Sequence, residues 1–340
     1  MRAPAFDALA KSDEPSVRYK LRAHVLGENP ESRAMLALRG EIKRSPRVQA
    51  LLAQHLQPAG RPARQRSVDE QRSVYDKWQG AHWVMASLAD LGYPPGDREL
   101  IPLRDRLLDA WLAPHYYEEF ECDSRAAAYR RQGVPIMQGR HRRCASQQGN
   151  ALYAIVTLGL ADTRTKSLLE RLLHWQWPDG GWNCDKKPKA DTSSFMETLT
   201  PLRGLAASAA QGEKRKVSKP LRRAADVFLE RQLFRRRSNG AVIKKEFVKL
   251  HYPLYWHYDI LGGLKALAEA GLARDARCAE ALALLESKRL PDGGFPAEQR
   301  YYGSAAANAA RELVDWGGTS ARASNPWVTA DALAVLAAAA

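Results

Sequence analysis

The densest run of reactive side chains is His251-Tyr252-Pro253-Leu254-Tyr255-Trp256-His257-Tyr258-Asp259. An imidazole titrates close to neutrality, so His251 or His257 suits general acid or base work, with Asp259 as a carboxylate and Tyr258 as a phenol beside them. If the run opens a helix, Tyr255 and Asp259 share a face and His257 lies roughly 160° from Asp259. The same residue types also build aromatic packing layers with histidines capping loops, so both roles stand at this point.

Three other groups have chemical potential. Trp182-Asn183-Cys184-Asp185 leads to Asp191, expected to open a helix near 190–209 as its N-cap or as a cavity carboxylate acting as acid, base or ligand. Cys184-Asp185 with His251 or His257 is the one metal set that suggests itself, and no spacing enforces it, so a metal ion stays open and no other cofactor is expected. Arg140-His141-Arg142-Arg143-Cys144 precedes a helix with Ser146, Gln147 and Asn150. Cations beside a helix N-terminus would hold phosphate, diphosphate or carboxylate, unless the segment is only a solvated loop. His82-Trp83 repeats the theme, with His82 as a core histidine or a ligand contact. Asp315-Trp316-Gly317-Gly318 precedes the last helix, where Trp327 and Asp331 face a cavity or a neighbouring helix.

The elements that must position these groups are helical. Leu168, Leu169, Leu172 and Leu173 share one face, and Ile260, Leu261, Leu264, Leu267 and Ala268 repeat the pattern until Gly271 stops it. Strand alternation is not sustained, so the expected class is all-α. Trp175-Gln-Trp-Pro-Asp-Gly-Gly-Trp182 recurs as Arg289-Leu-Pro-Asp-Gly-Gly-Phe295, with a degenerate copy around Gly240. Gly181, Gly240 and Gly294 stand 59 and 54 positions apart, which fits a repeated helix-loop-helix unit. Helices rich in charge opposite their leucines alternate with helices rich in Ala, Gly, Ser and Thr. Two concentric rings, an (α/α) barrel or toroid, satisfy both kinds. The barrel is expected over 66–340, after an N-terminal helical extension and linker over 1–65, the linker itself near 57–66.

Composition narrows the classes. The 340 residues are 45% apolar and 26% charged, a globular balance, and no apolar run approaches the roughly 20 residues that span a bilayer. The first ten residues lack the apolar core of a secretory signal. Four cysteines without a CxxC suit free thiols in a reducing cytoplasm, the expected location. The net charge of +14 is scattered over several short clusters, with no nucleic-acid-binding signature beside them. Arg140, Arg142, Arg143, Lys186 and Lys187 are expected on the cavity rim, which favours a small anionic ligand over nucleic acid.

The two Pro-Asp-Gly-Gly-aromatic turns, Pro178 to Trp182 and Pro291 to Phe295, resemble the repeat turns of the terpenoid cyclase and protein prenyltransferase superfamily, squalene–hopene-type cyclases included. The resemblance covers roughly residues 75–340 and implies an α/α toroid. It also implies signatures that this chain lacks. The cyclases' DxDD-type aspartate cluster has only Asp191-Thr192-Ser193 and the isolated Asp331 near it. The prenyltransferases' zinc-binding Asp, Cys and His fall on Asp191, Ser193 and the neighbourhood of Trp256-His257, and a hydroxyl is a poor substitute for the thiolate. The resemblance then implies a divergent enzyme acting on an isoprenoid or other amphipathic small molecule by acid–base chemistry, with Asp191, His257, Asp259, Tyr258 and Asp331 as catalytic candidates. Substrate contacts would come from His82, Trp83, Arg140, Arg143, Asn150, Trp182, Asp185, His251, Tyr255, Trp256, Asp315, Trp316 and Trp327. The alternatives are a hydrolase or lyase for an anionic sugar-like substrate, or a ligand-binding barrel without turnover.

Overall fold

In a computed structural model of the chain, residues 3–53, 55, 74–303 and 312–340 are described. In chain order the α-helices are α1 (Pro4–Ala10), α2 (Pro15–Lys20), α3 (Arg33–Arg44), α4 (Pro46–Leu52), α5 (Ala81–Leu91), α6 (Ile101–Trp111), α7 (Arg125–Arg130), α8 (Ala145–Thr157), α9 (Thr163–His174), α10 (Phe195–Ser208), α11 (Lys214–Leu229), α12 (Ile260–Glu269), α13 (Ala279–Glu286) and α14 (Pro326–Ala339). A π-helical turn at Leu21–Val25 extends α2. The all-α class holds, with one small sheet that the scattered β-branched residues did not signal. Its strands are β1 (Glu119–Glu121), β2 (Val134–Met137) and β3 (Arg140–His141), in that order across the sheet. The β1–β2 pair is parallel and the β2–β3 pair antiparallel, with Ile136 opposite His141.

The two helix types separate as their compositions require. α5, α8 and α10 are buried around almost their whole circumference. α9 and α11 bury one stripe, Leu168, Leu169 and Leu172 in the first and Val217, Ala224, Ala225 and Phe228 in the second. Glycine lets α8 and α10 touch backbone to backbone: a Cβ on Gly149 would sit 2.3 Å from the nitrogen of Pro201. Contacts run from α5 to α8, α8 to α10, α10 to α12, α12 to α14, and from α14 to α2 and its π turn, while α2 also touches α5. α6, α9, α11 and α13 pack against α5, α8, α10 and α12 respectively. Leu9, Val17, Leu38 and Leu51 of the N-terminal helices share one apolar cluster with Trp175, Leu264 and Val335. The linker expected near 57–66 lies outside the described residues.

The repeated turns have the same geometry. Trp177 N–H donates to Gly181 O (2.8 Å) and Leu290 N–H to Gly294 O (2.9 Å). Asp179 accepts from the Ser193 hydroxyl (2.6 Å), as Asp292 does from Ser324 (2.7 Å). Trp182 N–H and Phe295 N–H reach the hydroxyls of Thr198 and Thr329. Gly180 must be glycine: its φ is +102°, and a Cβ would lie 2.3 Å from the carbonyl oxygen of Arg223. The degenerate copy keeps the closure, Arg236 N–H to Ala241 O (2.8 Å), one residue longer and without the aspartate.

Two helix starts differ from expectation. α10 begins at Phe195, capped by the Ser194 hydroxyl, and Asp191 stands exposed ahead of it instead of opening the helix. α12 begins at Ile260, with Asp259 as its cap accepting from Gly262 N–H at 2.7 Å. Tyr255 to Tyr258 therefore precede the helix, and the face-sharing of Tyr255 and Asp259 does not apply.

Candidate functional site

At one end of the buried helices lies a layer of aromatic and neutral groups. His82, Trp83, Ser146, Gln147 and Asn150 come from the first two turns of α5 and α8, and Tyr255 and Trp256 from the segment before α12. His82 is fully buried, and the Trp111 indole N–H donates to its Nδ1 at 3.2 Å. An indole can only donate, so Nδ1 carries no proton and the ring is neutral with its proton on Nε2. The Asn150 amide nitrogen lies 3.1 Å from that Nε2, so accepting its proton requires the amide to turn its oxygen to the ring. Burial pushes the His82 pKa down to about 3. Trp83 is buried and donates its indole N–H to Tyr75 O. Tyr255 stacks on Trp78 with centroids 4.8 Å apart, and Trp256 lies near the Lys77 ammonium. His257 stacks on Tyr301 at 3.6 Å, and burial, with His251 and Lys77 nearby, lowers its pKa to about 3.

His251 and Asp259 do come together: Nδ1 lies 2.6 Å from Oδ2, and both side chains are buried. That carboxylate also accepts the backbone N–H of His251 at 2.8 Å, so it anchors the loop as well as capping α12. Tyr258 is a core residue whose hydroxyl donates to Leu233 O among Phe195, Phe228 and Phe247. Glu312 is a residue that sequence reasoning missed. It is buried, its closest cation is Arg300 at 3.7 Å, and burial raises its pKa to about 7.

Beside this layer, Cys144, Cys184 and Glu197 converge, their ligand atoms all within 4.8 Å of one another. Glu197, on the first turn of α10, accepts Ser146 N–H at 3.0 Å, and the Cys184 thiol lies 3.5 Å from its other oxygen. Burial raises its pKa. Neither Cys144 nor Glu197 stood among the expected site residues. The missed signal was the burial of a glutamate inside an Ala-, Gly- and Leu-rich helix. Arg143 is buried here too, stacked on Tyr116 at 4.6 Å and donating to Gln147. A second group of metal-compatible side chains, Glu119, His141 and His174, is more exposed.

At the opposite end, the last turns of α5, α8, α10, α12 and α14 and the α2 segment enclose a cavity of about 610 Å³. The five helices therefore run parallel. Ala89, Ala206, Ala207, Ala268 and Ala334 give it apolar walls. Its polar side is an ion network. Lys20 bridges Asp90 (2.7 Å) and Asp331 (2.8 Å), and Lys265 bridges the same two carboxylates. Arg203 joins Asp90 to Glu269, and the Tyr252 hydroxyl donates to Asp90 at 2.9 Å. Three cations and three carboxylates balance. Lys20 and Lys265 hold Asp90 well below the usual carboxylate range despite its burial. A narrower space lined by Asp90, Arg203, Asn150 and Tyr255 lies between the two ends.

The remaining candidates scatter. Asp191 is exposed with only the Thr192 hydroxyl on it, and Asp185 accepts the Lys187 N–H in a loop. Trp182 is structural, its indole on Leu172 O. Asp315 is exposed, while Trp316 and Trp327 pack on Tyr252. The zinc positions implied by prenyltransferase resemblance do not assemble: Asp191 is outside, the Ser193 hydroxyl is bonded to Asp179, and His257 is stacked on Tyr301. The expected cationic rim is not one surface. Arg142 turns inward to Ala190 O, Arg143 is buried, Arg140 lies half-exposed toward Gln138 O, and Lys186 caps Ala128 O above Tyr129. Among the described residues no helix is long and apolar enough to cross a membrane. No protein-family model matches the chain, and no curated protein matches it either.

Proposed function

We propose that the chain is an α/α toroid of the terpenoid cyclase and protein prenyltransferase type, and that its cavity takes an amphipathic small molecule with an anionic head as the substrate of a divergent enzyme. The cavity of about 610 Å³, alanine-walled with Lys20, Arg39, Arg203 and Lys265 on its lining, carries this reading. Its volume lies in the range of small-molecule sites. The apolar wall suits a hydrocarbon tail, and Arg39, the lining cation outside the balanced network, suits carboxylate or phosphate oxygens. The ionised Asp90 cannot supply a proton and is a weak base, so the site favours stabilising a cationic centre over acid-initiated cyclisation, in keeping with the absent DxDD cluster.

Binding of long-chain carboxylates and prenyl diphosphates to the full chain, by calorimetry, tests this reading. Micromolar binding lost in Ala207→Phe, with thermal stability retained, supports it. Failure of both classes to bind, or binding indifferent to the filled cavity, sinks it. The three carboxylates tied to cations also suit a binding barrel, and absence of any product from a bound ligand would favour that second reading.

A further inference from the structure

We propose that Cys144, Cys184 and Glu197 form a zinc(II) site, at the end of the helices opposite the amphipathic-ligand cavity. The donor set is chemically coherent. Two thiols and a carboxylate suit zinc, with bonds of about 2.3 Å to sulfur and about 2.0–2.2 Å to oxygen. Donor atoms around a tetrahedral ion then stand roughly 3.5–4 Å apart. The Cys184 sulfur lies 3.5 Å from Glu197 Oε1, and all three donor atoms fall within 4.8 Å, so small side-chain rotations close the set.

The scaffold fixes each donor separately. Cys144 is the residue at the N-cap of α8, Glu197 sits in the first turn of α10, and Cys184 follows the repeat turn that packs on α10. α8 and α10 are locked together at Gly149 and Pro201, so the distance between the first two donors is set by a rigid contact. The second oxygen of Glu197 is held by Ser146 N–H, which leaves Oε1 toward the thiols.

A separate observation concerns charge. Arg143 is 8% exposed, and among the described residues no carboxylate lies within ion-pairing distance of it. Its guanidinium bonds instead to Gln147 and, with the amide oxygen of Gln148 turned toward it, to Gln148 at 2.6 Å. A buried cation without an anion is costly. Cys144, Cys184 and Glu197 are the charged or chargeable groups, along with Tyr116, whose fields act on it. Zinc bound by two thiolates and one carboxylate carries a single net negative charge, which Arg143 would neutralise. Binding displaces the thiol protons to solvent and takes the carboxyl group as carboxylate, with no change of oxidation state. Three protein donors leave the fourth tetrahedral position to water or a ligand atom.

The test uses the full chain, reduced and freed of metal, titrated with zinc alone and followed by metal analysis and thiol labelling. The expected result is about one zinc per chain, with Cys144 and Cys184 protected from alkylation only when zinc is present. Cobalt(II) in its place should show thiolate charge-transfer absorption. Cys184→Ser and Glu197→Gln should each weaken zinc binding at least about 100-fold, Arg143→Met about 10-fold, and Cys122→Ser not at all. Should Cys184→Ser fail to fold, Glu197→Gln carries the test. Four thiols equally reactive with and without zinc would overturn the site. So would zinc lost on His174→Ala but kept on Glu197→Gln, or a Cys144–Cys184 disulfide whose reduction leaves a chain that binds no zinc.

Discussion

The two ends of the buried helices solve the problem of polar burial in opposite ways. Where the helices end, Lys20, Lys265 and Arg203 are kept charged and matched to Asp90, Asp331 and Glu269 around an open cavity. Helix C-termini favour cations there. Where the helices begin, apart from the buried Arg143, titratable groups are shifted toward their neutral forms: the His82 and His257 pKa values are lowered to about 3, and burial raises those of Glu197 and Glu312. The space between those neutral groups is nearly filled by Trp78, Trp83, Tyr255 and Tyr302. Arg143 aside, charge is retained where a cavity leaves room for a polar ligand, and disfavoured where aromatic packing leaves none.

Asp331→Ala should break the charged end most severely. It strips Lys20 and Lys265 of one of their two carboxylates and leaves the network with excess positive charge. Removing one partner of a buried ion pair costs about 3–5 kcal/mol. Urea unfolding should show that loss, with little relief from added salt because Lys20 is 2% exposed. A loss under about 1 kcal/mol would mean these charges are solvated, and the contrast between the ends would fail.

The neutral end should appear in the pH dependence. A histidine with a lowered folded pKa contributes stability that is present above about pH 6.5 and is lost as pH falls toward its folded value. For His82 that window runs from about 6.5 to about 3, at about 1.4 kcal/mol per pH unit. His257 adds a smaller slope of the same sign, since it is partly exposed. Glu312 works the other way. Its raised pKa means that the folded state holds a proton the unfolded state has released, so stability falls as pH rises from about 4.5 to about 7. Asp90, lowered by its lysines, loses its contribution only below about pH 3.8. The wild type should therefore show a shallow profile between pH 4.5 and 6.5. His82→Phe should tilt it toward lower stability with rising pH, by up to about 2–3 kcal/mol over that range. Glu312→Gln should tilt it the opposite way, by on the order of 1–2 kcal/mol. Parallel profiles for all three proteins would show that these groups are not held neutral.

How much of this was legible beforehand depends on the range of the signal. The Pro-Asp-Gly-Gly turns announced themselves because a left-handed glycine and an aspartate that ties down a serine are local demands, met at Asp179 and again at Asp292. The leucine stripes of α9 and α12 were equally local. The site was less visible because its members meet through packing: Lys20 and Asp331 are 311 positions apart, and Cys144 and Glu197 join across the α8–α10 contact. Asp191 misled because an acidic residue ahead of an apolar run resembles a cap, yet Ser194, three residues on, takes that role. Arg143 read as a rim cation, but Tyr116, Gln147 and Gln148 draw it inside.

Tyr252 stands where the two ends meet, and it gives the smallest and most discriminating prediction. Its ring stacks on Trp327 at 5.2 Å, and its hydroxyl reaches Asp90. Tyr252→Phe keeps the ring and removes one donor from a carboxylate that Lys20, Lys265 and Arg203 still contact. An over-determined network should lose only about 1 kcal/mol, with no change in the pH 4.5–6.5 profile. A loss above about 3 kcal/mol would place Tyr252 among the network's essential partners. A changed slope in that pH window would show that Asp90 communicates with the neutral groups through the narrow space lined by Asn150 and Tyr255. The two ends would then be one titrating system, and the division between charged and neutral burial would be a matter of degree.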